Sequence, residues 1–524
     1  MGAHPLVARV TSTRAPSPAG PGGLRDRGLG RILRGGAVNM AGAVVGAALN
    51  LALIVAITRA FSQETAGLLF SATSVFLITA AVANAGAPDG LVYFIARLRV
   101  FGRPGGVPAL LRLALGPAVL AACLVSVLLV VLARPLADAL GPQEAAAYLR
   151  LLALFLPFAV LTDSVLAATR AHHDMSVTVL VDKVGRPLAQ LGLVAMIALS
   201  GSAGFLALAW AGPYLPAAVL AWFWLGRIVR GAEAAPSPGD VSPAVEERSG
   251  PGDRQERVTP AEFWSFALPR ALGGVAQAGV QRGGVVMVAL LHGLTGAAVF
   301  TAATRIMVVG QFCTQAVLYT AQPRFAELLA AGEHGSVRAL YQAGTSWLVC
   351  LNWPLYLSAL MFAPEVMRLF GTGYSAGATA LVVVCAGQLA ASVLGMGDLV
   401  LTMTGRTGLN LLNNVMSLLA SVVAGVLLVP SHGAAGAAGA LVVAVLVRKL
   451  LPLWQLRSLV VLHPFSRPVL VATGSALLWF GALPVLLEAV AGPGVPTLIA
   501  GVLAGAAGHL CTVWLARGHL EPRR

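Results

Sequence analysis

The chain has 524 residues, 57% of them hydrophobic and only 11% charged, with a mean hydropathy of +0.82. A soluble globular protein of that balance would lack the polar surface to cover itself, whereas a chain whose solvent is lipid needs none. The formal charge of +14 sits mostly at the ends of apolar runs, where it sets topology, so nucleic-acid binding is excluded as its meaning.

Residues 1–36 are rich in Pro, Gly and Arg and hold no apolar run. They read as a disordered cytosolic arm and not as a cleaved signal, because the first apolar run is long and many more follow. Runs of roughly 20 apolar residues, enough to cross a bilayer core of about 30 Å, then recur along the chain. They predict about fourteen helices, near residues 37–58, 66–86, 109–132, 147–169, 176–199, 204–226, 263–290, 297–320, 339–362, 377–402, 410–429, 434–455, 468–488 and 494–515. Ala85–Leu98 is the ambiguous stretch, since Gly86 and Pro88 interrupt an apolar segment. The polar segment 229–262, with AAPSPGD and RSGPGDR, reads as a cytosolic linker between two six-helix lobes, 37–228 and 263–457. Two further helices in 466–516 and a cytosolic tail, 517–524, complete the chain. The expected fold class is an all-α polytopic membrane protein.

With both termini in the cytoplasm, the loop cations segregate. Only Arg59, Arg134, Arg150 and Arg368 fall outside, which matches the bias of Lys and Arg toward cytoplasmic loops. The expected location is the cytoplasmic membrane. Cys123, Cys313, Cys350, Cys385 and Cys511 all lie in apolar runs and read as small packed residues. No CxxC, HExxH or G-x-x-x-x-G-K-[ST] spacing occurs, so nothing calls for a metal, a cofactor or nucleotide drive.

The lobes read as a duplication. TAGLLFSATSVFLI (Thr65–Ile78) matches TGAAVFTAATRIMV (Thr295–Val308), and at the same offset ARPLADALG (Ala133–Gly141) matches APEVMRLFG (Ala363–Gly371). GSAGFLAL at Gly201 resembles GAAGAAGAL at Gly433 at nearly that offset. An even number of helices per lobe gives both copies one orientation, as in parallel-repeat transporters.

Six plus six plus two helices, together with specific stretches, resemble the polysaccharide-transport (Wzx-type) flippases. These belong to the multidrug/oligosaccharidyl-lipid/polysaccharide (MOP) superfamily, which also holds lipid II flippases and MATE drug exporters. ITRAFSQETAGLL (Ile57–Leu69) is similar to the family's passage into helix two. FALPRAL (Phe266–Leu272) is similar to the opening of its second lobe, and AAVFTAATRI followed by PRFAEL (Pro323–Leu328) to its helix eight. LFGTGYSAGATAL (Leu369–Leu381) and LLVPSHGAAGAAGAL (Leu427–Leu441) are close to two family turns and are the most specific matches. Where members often carry an acid after the helix-seven arginine, Arg282 is followed by Gly283 and Gly284. The resemblance implies a flippase that rocks about a central cavity to move a polyprenyl-linked glycan. Membrane lipids, a polysaccharide polymerase and glycosyltransferases are its implied partners.

A charge at membrane depth costs about 2.5–3.5 kcal/mol on insertion scales, so it faces a cavity or a partner. Arg270, Gln277 and Gln281 share a narrow arc of helix seven, with Arg282 about 120° round from Arg270 at roughly 100° per residue. Arg305 lies in helix eight at the depth of Arg282. Helix five presents Asp182, Lys183, Arg186 and Gln190. One reading is internal pairing, with Asp182 and Arg186 bridged at i,i+4. The other is a cationic cavity in which Arg270, Gln277, Gln281, Arg282, Arg305, Lys183 and Arg186 bind a diphosphate and sugar headgroup, the planar guanidinium suiting phosphate. Asp163 and Asp398 are isolated acids near cytoplasmic ends and candidates for ion coupling. On helix one, Gly42 and Gly46 suit close packing, and Asn39 and Asn50 a polar stripe. His172 and His173 read as loop-surface residues.

The favoured function is transport of a lipid-linked oligosaccharide, with lipid II flipping as an alternative. A MATE-like cation antiporter would want acidic cavity residues where this chain is basic. A membrane glycosyltransferase or polymerase would want a large external loop, and none is present, so the chain reads as a transporter and not an enzyme.

Overall fold

The computed structural model describes residues 22–100, 104–172, 174–234, 258–492 and 494–515, the side chains of 22–40, 232–234 and 495 aside. Among the described residues there are helices and no strands. The first half holds α1 (Gly22–Ala60), α2 (Gln63–Asn84), α3 (Ala87–Val100), α4 (Val107–Leu140) and α5 (Glu144–Ala171). A π-helical segment, Thr178–Gly185, then runs into α6 (Arg186–Ser200), followed by α7 (Leu206–Ala211) and α8 (Tyr214–Ala234). The second half holds α9 (Pro260–His292), α10 (Leu294–Ala303), α11 (Arg305–Ala330), α12 (His334–Met361), α13 (Ala363–Arg368), α14 (Ala378–Val393), α15 (Gly397–Met403) and α16 (Thr407–Leu456). The chain ends in α17 (Arg467–Leu477), α18 (Leu483–Ala491) and α19 (Val495–Leu515).

Every expected span coincides with helix, and the all-α polytopic class holds. Eleven helices among the described residues are long and apolar enough to cross a membrane. One of these, α16, is two spans: at Gly433 the backbone turns to φ 52° and ψ −126°, and the second half folds back on the first. Two expected spans fall short of that apolarity for visible reasons. Residues 176–199 carry Asp182, Lys183, Arg186 and Gln190, and α12 buries Thr345, Ser346 and Asn352.

Local chemistry explains several boundaries. Ser62 and Thr259 accept hydrogen bonds from the Thr65 and Glu262 amides at 3.1 and 3.2 Å, capping α2 and α9. The ambiguous stretch after α2 is resolved as a separate helix, α3. Ala85 takes a left-handed conformation (φ 47°) and Gly86 follows with φ 76°, so the chain bends there. Residues 22–36, expected in the unstructured arm, continue α1, and Leu24, Leu29, Ile32 and Leu33 supply the helix-compatible pattern. The rest of the arm, most of the linker (235–257) and the tail lie outside the described residues.

Helices α2 and α5 lie at the centre of the bundle, and α4 and α19 at its lipid-facing edge. On α4, Leu120, Leu124, Val127, Leu128 and Val131 are exposed along one side, as lipid contact requires. The central core joins alanine-rich faces of α2, α5, α10 and α14 around Phe76, Leu149, Phe300 and Val384. All five cysteines are free, with Cys350 and Cys385 buried but Cys123 and Cys511 exposed on apolar helices.

Candidate functional site

Membrane-depth charge is concentrated around one cavity of about 240 Å³ between the halves. Its wall is Ala43, Gly46, Ala47, Asn50 and Leu51 of α1; Asp182 and Lys183 of the π segment; Arg186 of α6; Arg282 of α9; and Arg305, Val308, Val309 and Phe312 of α11.

Small residues on α1 make this wall possible. A Cβ on Gly46 would lie 2.7 Å from the Lys183 carbonyl oxygen, and one on Gly42 would strike Val179. Backbone meets backbone there, so the wide π turns sit directly on α1. Such π turns recur at functional sites because they re-aim side chains that an α-helix would place elsewhere.

On the first-half wall the charges are paired as the i,i+4 spacing predicts. Arg186 donates from Nη2 and Nε to Asp182 Oδ1 at 2.6 and 3.1 Å. Its Nη1 donates to the Tyr214 hydroxyl at 3.0 Å. On the second-half wall the cations have no acid. Arg305 donates from Nε to the Thr301 carbonyl of its own helix at 3.1 Å. Its charged neighbour is Arg282, whose own electrostatic neighbour is the Tyr214 hydroxyl. Neither arginine has an ion pair among the described residues. The arrangement offers an anion two adjacent guanidiniums facing a wall whose acid is already engaged.

The expected site residues divide. Arg282, Arg305, Lys183 and Arg186 come together around the cavity, with Asn50. Arg270, Gln277 and Gln281 are exposed and do not line it. Arg270 instead lies over the Phe266 ring at 3.5 Å and donates to the Phe266 carbonyl at 3.0 Å. The physical reason is the helical wheel: one narrow face of α9 cannot present both Arg270 and Arg282 to the same space. The side chain of Asn39 is not described and His173 lies outside the described residues, while His172 hydrogen-bonds the Ala168 carbonyl.

The two acids also separate. Asp163 accepts from Asn84 Nδ2 at 3.1 Å, with Asp182, Arg186 and Arg170 as charged neighbours. Asp398, at the start of α15, is held by Lys449 at 3.1 Å and Arg448 at 3.7 Å, away from the cavity wall. Sequence reasoning missed Tyr214, which orients Arg186. Its signal was a lone tyrosine in an apolar segment, next to Pro213.

The halves also meet away from the cavity, at two sets of contacts. At the face carrying Arg59, its Nε and Nη2 donate to the Leu369 and Arg368 carbonyls at 2.8 and 3.4 Å. Beneath this, Gly67 of α2 lies against the Leu294 backbone at the start of α10. At the opposite, basic face, Arg97 pairs with Glu262 at 2.5 Å. There Tyr93 stacks on Phe266 with ring centres 4.2 Å apart, and Gly86 abuts the Ala267 carbonyl. The sequence motifs at Ile57–Leu69 and Leu369–Leu381 therefore meet in space.

No family model matches the chain, and no curated relative matches it. Solved structures do. The lipid II flippase MurJ in an inward closed conformation matches with a TM-score of 0.71 over 93% of this chain and 100% of that one, at 10% identity. An inward-facing multidrug resistance MATE family transporter of the MOP superfamily matches at 0.63, over 80% and 97%, at 16% identity. A MOP superfamily transporter from Pyrococcus furiosus, with a binding pocket of reversed polarity, matches at 0.52, over 86% and 96%, at 15% identity. The chain thus has the fold shared by these MOP superfamily flippases and transporters.

Proposed function

We propose that the protein moves a polyprenyl-diphosphate-linked oligosaccharide across the cytoplasmic membrane by alternating access, in surface polysaccharide biosynthesis. The observation that carries this reading is the pair Arg282 and Arg305, adjacent in the cavity and without an ion pair among the described residues, the cavity's Asp182 being engaged by Arg186. Two guanidiniums at membrane depth are stabilised by an anionic ligand, and a diphosphate accepts the paired hydrogen bonds they offer. The sugar headgroup occupies the polar cavity, with Asn50, Lys183 and Arg186 around it, while the polyprenyl tail stays in lipid. Glycosyltransferases build the substrate on the basic face, which the cation bias assigns to the cytoplasm, and a polymerase uses it on the other. Asp163 is the acid we keep as a candidate for ion coupling.

Lipid II flipping is the second reading, favoured by the MurJ likeness, because lipid II presents the same diphosphate chemistry. Cation antiport fits poorly with a basic second-half wall. The test is headgroup exposure in proteoliposomes, run in parallel with a lipid-linked oligosaccharide and with lipid II, each set against protein abundance. The Arg282→Ala/Arg305→Ala double variant should stay folded and lose flipping. Full activity in that variant refutes the diphosphate site. The substrate that the unaltered protein moves decides between the two readings.

A further inference from the structure

A second concavity lies away from the charged cavity and shares no lining residue with it. It has a volume of about 520 Å³ and is walled by Leu115, Gly116 and Val119 of α4, Phe158 and Leu161 of α5, and Val219, Trp222 and Phe223 of α8. The wall is almost wholly apolar. Gly116 leaves its floor open, since a Cβ there would meet nothing within 4 Å. The exposed leucines of α4 continue the same apolar surface toward the other face, so the groove opens on the lipid.

Helical spacing gives the groove a charged mouth. On α4, Arg112 stands one turn before Leu115 and Gly116, on the face they share with Val119. On α8, Arg227 stands one turn after Phe223, on the face of Val219 and Phe223. The two helices run antiparallel, α4 starting and α8 ending at the basic face, so both arginines lie at the same end of the groove. Both are exposed. Arg112 makes one long hydrogen bond, 3.4 Å, to the Pro108 carbonyl of its own helix, and Arg227 makes none to a described residue.

We propose that this is a binding site for an anionic phospholipid of the basic-face leaflet. One acyl chain fills the groove, and the phosphate lies between Arg112 and Arg227. An apolar concavity with convergent polar groups at one end has the form of a ligand site, and basic residues at this depth recognise anionic headgroups. The polyprenyl substrate is a poorer occupant, because its diphosphate site lies on different helices.

Trp222 supplies the readout. In phosphatidylcholine vesicles, phosphatidylglycerol with brominated acyl chains should quench the fluorescence component that is lost in Trp222→Phe, at low mole fraction. Brominated phosphatidylcholine should not do so at that fraction. In the Arg112→Ala/Arg227→Ala variant, half-quenching should need roughly ten- to thirtyfold more phosphatidylglycerol, from about 1 kcal/mol per basic residue. Gly116→Leu should fill the groove and abolish the Trp222 signal while the protein stays folded by circular dichroism. Equal quenching by both headgroups, or an unchanged titration in the double arginine variant, overturns the charged mouth. Unchanged quenching in Gly116→Leu overturns the groove, as does release of a co-purified prenyl lipid by that variant in place of a phospholipid.

Discussion

Arg59 reaches from the end of α1 to the backbone carbonyl of Leu369, just past α13, at 2.8 Å. Side chain and acceptor belong to different halves, so this contact exists only while the halves are closed at that face. A charge-assisted bond at an exposed position is worth at most about 1 kcal/mol net. Arg59→Ala should therefore raise the population open at that face several-fold. A cysteine at Ala47, placed in a cysteine-free background, should react faster with an impermeant thiol reagent added from that side. An unchanged labelling rate would remove the latch role.

The cavity arginines should tolerate lysine poorly. Arg282→Lys and Arg305→Lys keep the charge but lose the two-pronged donor, so each should retain only part of the flipping rate. Arg270→Ala, which lies outside the cavity, should stay within about twofold of the unaltered protein. A stronger effect at Arg270 than at Arg282 would reverse the assignment of the α9 face.

Asp398 and Lys449 should behave as a structural pair. Asp398→Ala strands a mostly buried ammonium and should cost about 3–5 kcal/mol, read as lost thermal stability in detergent. Adding Lys449→Met should recover most of that loss, as coupled neighbours do. If Asp398→Ala instead keeps its stability and loses only the ion dependence of transport, the acid is a coupling group.

Gly46 and Gly283 should differ sharply. Gly46→Leu pushes atoms into the Lys183 carbonyl and should cost at least about 1–3 kcal/mol while separating α1 from the π turns. Gly283 faces open space, so Gly283→Ala should be neutral or stabilising by up to about 1 kcal/mol. Melting temperatures of the two variants give the comparison.

Reporter fusions test the orientation. Those after Arg59, Arg134, Gly201, His292, Arg368, His432 and Ala491 should report the outside. Fusions in the N-terminal arm, after Arg230 and at the C-terminus should report the cytoplasm. A C-terminus on the outer face would overturn the even helix count and the duplication argument.

Most spans were legible because they are long apolar runs, and so was the Asp182–Arg186 bridge, which needs only i,i+4 spacing. The cavity was half legible. Arg282, Arg305, Lys183 and Arg186 were identifiable as costly charges, but the direction each faces depends on packing. The sequence reading placed Arg270, Gln277 and Gln281 in the cavity beside Arg282, and of these four α9 residues only Arg282 lines it. The π turns at Thr178–Gly185 break the wheel within a span, which no periodicity count registers. The Arg59 clasp joins positions more than half the chain apart, and a carbonyl acceptor leaves no mark on its own residue type.

The reversal at Gly433 has a consequence for how the protein is made. The halves of α16 turn back with essentially no intervening loop, and at their far ends Asn413 and Gln455 exchange two amide hydrogen bonds at 2.9 and 2.7 Å. Each amide alone would be an unfavourable passenger in hydrocarbon. Delivered together as a preformed hairpin, the two satisfy one another before meeting lipid. The expected route of insertion is therefore a paired one, in which the first helix of the hairpin enters lipid together with its partner. Slowing synthesis just after Gly433 would strand Asn413 without Gln455.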